Sequence, residues 1–477
     1  MKAKILAPEN RKWWTLAALS FALFMIMLDN TIVNVALPAI RKDLGITLSA
    51  LEWTVTGYAL TFAVLMLSGG KLADLLGRRK IFMLGLAVFT LSSLWCGLSG
   101  SATELISARA IQGVGAALMM PSTLSIITAI FPARERGAAI GIWAGVSAMA
   151  LAIGPLLGGI ITEHLSWNWI FYVNVPIGVI GFVVSRVVVP ESRDTSHEQR
   201  LDLPGLLSSG IGLLALVYAL IEANNYGWTS GRILGLFGVA VVGLAAFVVL
   251  EMRQRVPMLD LSLFKNGTFA GANTVMLLVG LAMFGVFFYN SLFIQNIMGY
   301  SAVQTGATFL PMTMLIILVA PAAGKFSDRV GSRWLMGVGM ILLSVSLFTF
   351  SRLDASSDFW NLLPGLLVGG LGMAIVMTPT TAAAMGSVPV DKAGVGSAVL
   401  NSMRQVGGSL GIAVMGAIVA SQVDAPPGTP QGAAGFVTGF QHALVVASLI
   451  ALAGAVLSVA TVRKYRHAET PVAEAAG

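Results

Sequence analysis

The chain has 477 residues, of which 56% are hydrophobic and only 11% charged, with a formal net charge of +7 and a mean hydropathy of +0.84. Soluble proteins carry roughly a quarter charged residues, so this composition excludes a water-soluble fold and reads as a membrane protein. Its basic residues recur in short loops rather than on one face, which argues against nucleic-acid binding; its single cysteine, Cys96, excludes an internal disulfide, and no Cys/His cluster has metal-ligand spacing.

Apolar stretches long enough to cross roughly 30 Å of hydrocarbon predict fourteen spans. Eight fall near residues 13–37, 51–70, 80–99, 104–130, 138–161, 168–189, 204–222 and 232–250, and six near 268–292, 303–323, 334–351, 361–385, 393–420 and 437–462. The first is too long for a signal-peptide core and reads as an uncleaved span. An even number of spans puts both termini on one side. Lys and Arg crowd the loops of that side, from Lys2, Lys4, Arg11 and Lys12, through Lys71, Arg134, Arg200 and Arg255, to Arg463, Lys464 and Arg466. The other side has Arg41, Lys42, Arg232 and Arg352. The positive-inside bias then predicts a multi-pass protein of the cell membrane with both termini in the cytoplasm.

The chain repeats itself. GKLADLLGRR from Gly70 and GKFSDRVGSR from Gly324 agree at Gly, Lys, Asp, Gly and Arg in register, and GVGAALMMP (Gly113 to Pro121) is echoed by GLGMAIVMTP (Gly370 to Pro379) with one insertion. Offsets of 254 and then about 257 imply two related halves. The predicted organisation is an N-terminal six-helix bundle (1–200), two inserted transmembrane helices with a linker (201–255), and a C-terminal six-helix bundle with a short tail (256–477). Repeated halves around an interfacial site are how secondary transporters alternate access.

Five motifs stand in order along the first half: LDNTIVNVALP (Leu28 to Pro38), GGKLADLLGRRK (Gly69 to Lys80), RAIQGVGAALMMP (Arg109 to Pro121), AIGPLLGG (Ala152 to Gly159) and WNWIFYVNVPIG (Trp167 to Gly178). Together with the span layout they resemble the major facilitator superfamily, in particular its fourteen-span drug:proton antiporters of the EmrB/QacA type. The resemblance covers nearly the whole chain. It implies an all-α fold of two six-helix bundles plus two central helices, no enzymatic activity, no cofactor beyond the proton as coupling ion, and export of small, mostly lipophilic organic compounds. A dedicated exporter of one metabolite, lipid or antibiotic is the alternative on the same fold. The bilayer and a small-molecule substrate are the expected partners; any periplasmic adaptor would be a separate chain.

Asp29 is the acidic residue that the predicted boundaries place well inside a span of the first half. An ionised carboxylate in hydrocarbon costs several kcal/mol, so such residues face a cavity or a partner. Its role reads as proton acceptance or substrate sensing, or else as a hydrogen bond that orients the first span. Asn30 and Asn34 add polarity beside it. Arg109 lies in span four at a depth similar to that of Asp29, at about 1.5 Å of rise per residue, so a pair between them is geometrically allowed. Gln112, Gly113, Ala116 and Met120 share its helical face. The resemblance implies proton coupling for Arg109; the structural alternative is an arginine that ties helices together.

Gly70, Asp74, Gly77, Arg78 and Arg79, with Asp328 in the repeat, form a candidate conformational latch in which glycines allow the tight turn and Asp74 meets arginines or a helix N-terminus. Gly154, Pro155, Gly158 and Gly159 permit close helix approach and a bend; the resemblance places them between the halves. Candidate cavity residues are Asn34, Tyr58 (with Thr54 and Thr61), Gln112, Met120, Tyr289 and Asn290 (with Phe287 and Phe288), and Arg404 and Gln405 (with Asn401 and Gly408). Arg404 departs from exporters with an acidic residue in that region, which leaves room for a neutral or anionic substrate. No HExxH pair and no GxxxxGK[ST] loop is present, against a metalloenzyme and an ATP-driven pump.

Overall fold

The computed structural model describes residues 8–193, 201–254, 257–389, 392–423, 425 and 429–462. Within them the chain is helical, without strands, as expected where each backbone group must be satisfied inside its own segment. Fourteen helices are long and apolar enough to cross a membrane. They are α1 (Pro8–Leu44), α2 (Leu48–Leu76), α3 (Arg78–Leu98), α4 (Ala102–Ile130), α5 (Ala133–His164), α6 in two pieces, α6a (Trp169–Tyr172) and α6b (Asn174–Val188), α7 (Leu203–Tyr226) and α8 (Gly231–Arg253). After these come α9 (Gly267–Asn296), α10 as α10a (Ala302–Thr308) and α10b (Leu310–Val330), α11 (Ser332–Phe350), α12 (Phe359–Gly386), α13 (Ala393–Ala420) and α14 (Pro430–Thr461).

Each predicted span has its helix, and most helices overrun the apolar limits because polar caps lie beyond them. Thr47 caps α2, Ser101 caps α4, Ser301 closes a capping box with Gln304 on α10a, and Asp358 does the same with Asn361 on α12. Lys2, Lys4, Arg200, Arg255, Arg463, Lys464 and Arg466, and the side chains of Arg134 and Asp328, lie outside the described residues.

Helices α1–α6 pack among themselves, as do α9–α14. The sequence repeat is also a packing repeat. Gly77 and Gly331, 254 positions apart, both have positive φ (116° and 92°) where one helix stops and the next starts. A Cβ built on Gly85 of α3 would sit 2.8 Å from the Gly115 carbonyl of α4, and one on Gly339 of α11 would sit 3.0 Å from the Gly372 carbonyl of α12. These pairs keep the offsets of 254 and 257, so each half closes the same two helices at the same depth. Helix α7 packs on α8 through Ala219, Ala223 and Ile233, and on α2 and α13 through a small apolar cluster of Leu60, Val217, Ile221 and Ala413.

The halves meet where α2 packs on α13, α5 on α10a and α1 on α9. We call the end where α1 begins the N face, and the other the far face. Hydrogen bonds between the halves run from mid-depth to the far face: Ser402 to the Ala63 carbonyl (3.0 Å), Ser291 to Asn34 (2.6 Å), Gln295 to Val35 (2.8 Å), Tyr289 to Glu52 (2.7 Å) and the Val303 amide to Glu163 (2.8 Å). Nearer the N face, the hydrogen bonds that α2 makes beyond its own half, from Ser68 and Lys71, reach Met258 and Pro257 of the segment leading to α9, and none among the described residues joins a helix of one half to a helix of the other. A Cβ on Gly159 would strike the Ala302 carbonyl, and one on Gly306 the Pro155 carbonyl. The far face is sealed backbone against backbone. Gly159→Val is expected to wedge α5 from α10a and lower stability by about 1–3 kcal/mol, whereas Gly141→Val, whose Cβ meets open space, costs only its helix propensity; melting curves in detergent compare the two.

Candidate functional site

A polar network sits inside the first half, surrounded by apolar side chains. Asp29 on α1 is fully buried and Arg109 on α4 is 1% exposed. The guanidinium donates from Nη1 to Asp29 Oδ2 (2.5 Å) and to Gln112 Oε1 (2.7 Å), and from Nε to the Thr54 carbonyl of α2 (3.2 Å). Gln112, one turn along, donates from Nε2 to Asp29 Oδ1 (3.0 Å). Asn174, at the start of α6b, reaches Asp29 Oδ1 (3.4 Å) and Ser93 Oγ (3.1 Å). The guanidinium also lies over the Tyr58 ring, 4.3 Å from its centroid, and 5.6 Å from that of Phe171. A buried ion pair is tolerable only with such additional donors and acceptors.

Helix contact puts these groups together. Gly113 of α4 turns its bare Cα toward the Tyr58 carbonyl and Thr61 of α2, and Thr61 donates to the Ala110 carbonyl at 2.8 Å. Arg109, one turn before Gly113, is thereby brought level with Thr54 and Tyr58. Asn174 stands in the sixth-span motif, but motif position alone did not single it out.

The predicted latch is assembled within the first half. Arg78 Nε donates to Asp74 (2.8 Å), its Nη1 to the Ser125 carbonyl of α4 (3.4 Å), and its amide to the Ser192 carbonyl. Arg79 reaches the Val189 carbonyl and pairs with Glu191, which also accepts from its amide (3.1 Å). Glu191, just beyond α6b, is a partner the sequence did not point to. Gly70 rests on the Pro121 ring, 3.5 Å from a built Cβ. Across the seam, α2 touches the segment after α8 instead: Lys71 donates to the Pro257 carbonyl and Ser68 to the Met258 sulfur.

Gly154 and Gly158 pack on Thr31 and Ile32 of α1, and Gly159 and Pro155 on α10a. The candidate cavity residues fare differently. Asn34, Tyr58, Gln112, Met120, Tyr289, Asn290 and Gln405 are all buried. Gln112 belongs to the ionic network, and Tyr289 is tied to Glu52. Partly exposed among the candidate polar groups are Asn30, Thr61, Asn401 and Arg404. Arg404 has no carboxylate within ion-pair distance among the described residues, and its Nε is buried without a partner, as are the amide atoms of Gln405 and Asn290 and the Tyr58 hydroxyl. The expectation that Asp29 alone is buried acid in the first half needs correction. Glu52, in the first turns of α2, is 3% exposed, because α9 and α13 cover the helix end that an isolated span would leave wet.

A fourteen-helix bundle with a repeated half, a seam sealed at one end and an ion pair buried in one half defines a multi-pass membrane transporter. The family model of the Major Facilitator Superfamily matches residues 19–412, and the chain belongs to that superfamily. It is 36% identical over 415 residues to a tetracenomycin C resistance and export protein of Streptomyces glaucescens, covering 87% of this chain and 77% of that one. It is 38% identical over 414 residues to the multidrug resistance protein Stp of Mycobacterium tuberculosis (86% and 76%), and 35% identical over 461 residues to a puromycin resistance protein of Streptomyces alboniger (94% and 91%). The fold is similar to that of a bacterial homologue of the lysosomal transporter Spinster, with a TM-score of 0.68 at 16% identity over 96% of this chain and 99% of that one. A peptide transporter POT gives 0.67 at 14% identity, over 94% and 95%.

Removing one member of the buried pair strands the other. Asp29→Leu or Arg109→Met alone is expected to cost about 3–5 kcal/mol, and the double variant clearly less than the sum; a double-mutant cycle on thermal unfolding in detergent measures the coupling.

Proposed function

We propose that the protein is a proton-coupled antiporter of the cell membrane that exports small, mostly lipophilic organic compounds by alternating access, with the proton as coupling ion and no other cofactor. The observation that carries the reading is Asp29, buried and held by Arg109, Gln112 and Asn174 in a chain whose relatives are named for drug resistance and export. In the proposed orientation the N face and both termini are cytoplasmic, so the sealed far face is external and this is the inward-facing form.

The geometry supports such coupling. Ionised, Asp29 satisfies two donors of Arg109 and Gln112 and locks α1 to α4. A proton on Asp29 weakens that lock, while Arg109 keeps its hold on α2 through the Thr54 carbonyl and the Tyr58 ring. Helix α1, which packs on α5 of its own half and α9 of the other, is then free to shift against both. An inward proton gains about 2.3 kcal/mol per 100 mV, enough to hold a substrate gradient of more than tenfold.

A narrower exporter, of one metabolite or self-made antibiotic, is the second reading. It is favoured by relatives named for single antibiotics and by the unpaired Arg404, which suits a cargo carrying hydrogen-bond acceptors or negative charge. Competition among chemically unrelated compounds separates broad from narrow specificity.

Proteoliposomes with an imposed pH gradient are the direct test. Wild type is expected to move substrate against its gradient and to stop when an ionophore collapses the proton gradient. Asp29→Asn is expected to lose at least about tenfold of the gradient-driven rate while retaining substrate binding; pumping at the wild-type rate would remove Asp29 from the coupling step.

A further inference from the structure

The second buried carboxyl of the first half has surroundings unlike those of Asp29. Glu52 accepts one hydrogen bond, from the Tyr289 hydroxyl of α9 (2.7 Å). Both of its oxygens lie against the bare Cα of Gly416 on α13: a Cβ there would strike Oε1 and come within 2.7 Å of Oε2. Among the described residues the ion pairs are Lys12–Glu135, Arg78–Asp74, Arg79–Glu191, Arg109–Asp29 and Lys392–Asp260. Glu52 is in none of them. Tyr289 itself is fully buried.

The other elements around α2 supply no compensating charge. From α7, the group acting on Glu52 is Glu222, of its own sign. On α4, Arg109 is committed to Asp29, Gln112 and the Thr54 carbonyl. On α13, Arg404 is twelve residues from Gly416, about 18 Å along the helix. On α1, Asp43 is bound to the Trp167 indole, and the cations of the same turn, Arg41 and Lys42, are neither in ion-pair contact with Glu52 nor among the groups that act on it. On α3, the ionisable group at the far-face end is the Cys96 thiol, which is uncharged and directed at Gln112. An ionised carboxylate with one neutral donor and no cation is poorly tolerated in such a site, whereas a neutral carboxyl satisfies both the phenol and the apolar Gly416 surface.

Glu52 also spans the seam. It belongs to the first half, and Tyr289 and Gly416 to the second, so the contact exists only while the far face is shut. Opening that face takes Glu52 away from Tyr289 and Gly416 and wets the carboxyl. We propose that Glu52 is a second proton-binding group, whose neutral form holds the far-face seal shut and whose ionised form belongs to the state open at that face. The step is simple: the carboxylate takes a proton from hydronium at the far face, water leaves, and the neutral carboxyl docks between Tyr289 and Gly416. On reopening, the proton returns to the same side. Glu52 therefore gates by external acidity and carries no net proton across, unlike Asp29. The external sense of the far face rests on the orientation proposed above; the coupling of protonation to closure does not.

Spin-label distances across the far face test this without any transported substrate. Labels at Leu165→Cys and Ala355→Cys, exposed positions on the two halves, in a Cys96→Ser background in nanodiscs, report the closed and open populations at pH 5 and pH 9. Wild type is expected to show at least about a tenfold higher closed-to-open ratio at pH 5. Glu52→Gln is expected to be as closed at pH 9 as at pH 5, and Tyr289→Phe to lose closed population at pH 5 while keeping the ring. Asp29→Asn is expected to retain the pH response. A wild type that does not respond, or a Glu52→Gln protein that responds like wild type, overturns the proposal, as does a response lost in Asp29→Asn and kept in Glu52→Gln. Because pH-driven transport is measured separately, antiport through Asp29 and gating through Glu52 fail independently.

Discussion

A guanidinium buried in a helical bundle imposes the constraint on which the first half depends. Arg109 cannot lose its charge and carries five N–H groups, so every helix that surrounds it must present an acceptor or a π face. α1 supplies Asp29, α2 the Thr54 carbonyl and the Tyr58 ring, α4 its own Gln112, and α6a the Phe171 ring. Each contact fixes the rotation of a helix about its own axis, which apolar packing in lipid specifies poorly. The second half lacks this device. The position 257 residues on from Arg109 is Leu366, itself fully buried, and the one matching Gln112 is Gly369. Common ancestry of architecture is kept, and the charge chemistry is confined to one half.

What lets the halves behave as units is the distribution of small residues. Within a half, glycine pairs such as Gly85 with Gly115 and Gly339 with Gly372 bring backbones into contact, and no side chain stands between them to rearrange. Across the seam, Gly159 and Gly306 make equally close contact, but beside polar groups that water can replace. Stiff interiors and a seam that exchanges protein for water partners favour rocking of whole halves over local deformation.

Hydropathy made the spans and the repeat legible, because each helix must satisfy its own backbone and shows that need locally. The Asp29–Arg109 pair was legible as an allowed geometry, since helical rise alone places both at one depth. Glu52 was not. It lies one residue inside the predicted limit of its span, where a carboxylate reads as a wetted helix end, and its burial comes from Tyr289, 237 positions away, and from Gly416. Asn174 and Glu191 were missed for a related reason: their partners depend on how α6 docks against α1 and α3. The cavity residues were chosen by chemical type, and type does not say whether a face is lined by water or by another helix. Tyr289 shows the difference, being a polar aromatic whose hydroxyl is consumed by the seal.

The two buried carboxyls of the first half make opposite demands on the same conformation. Asp29 is ringed by donors and a cation that stay together within one half, so its surroundings survive any rigid movement of the halves. Glu52 draws its partners from the other half, so its surroundings are created and destroyed by that movement. A group with constant partners responds to conformation only through access to water, which suits a carrier that must take up and release on different sides. A group whose partners come and go responds through its own stability, which suits a gate. The proposed separation of the two tasks thus rests on which side of the seam the partners stand, whatever the cargo.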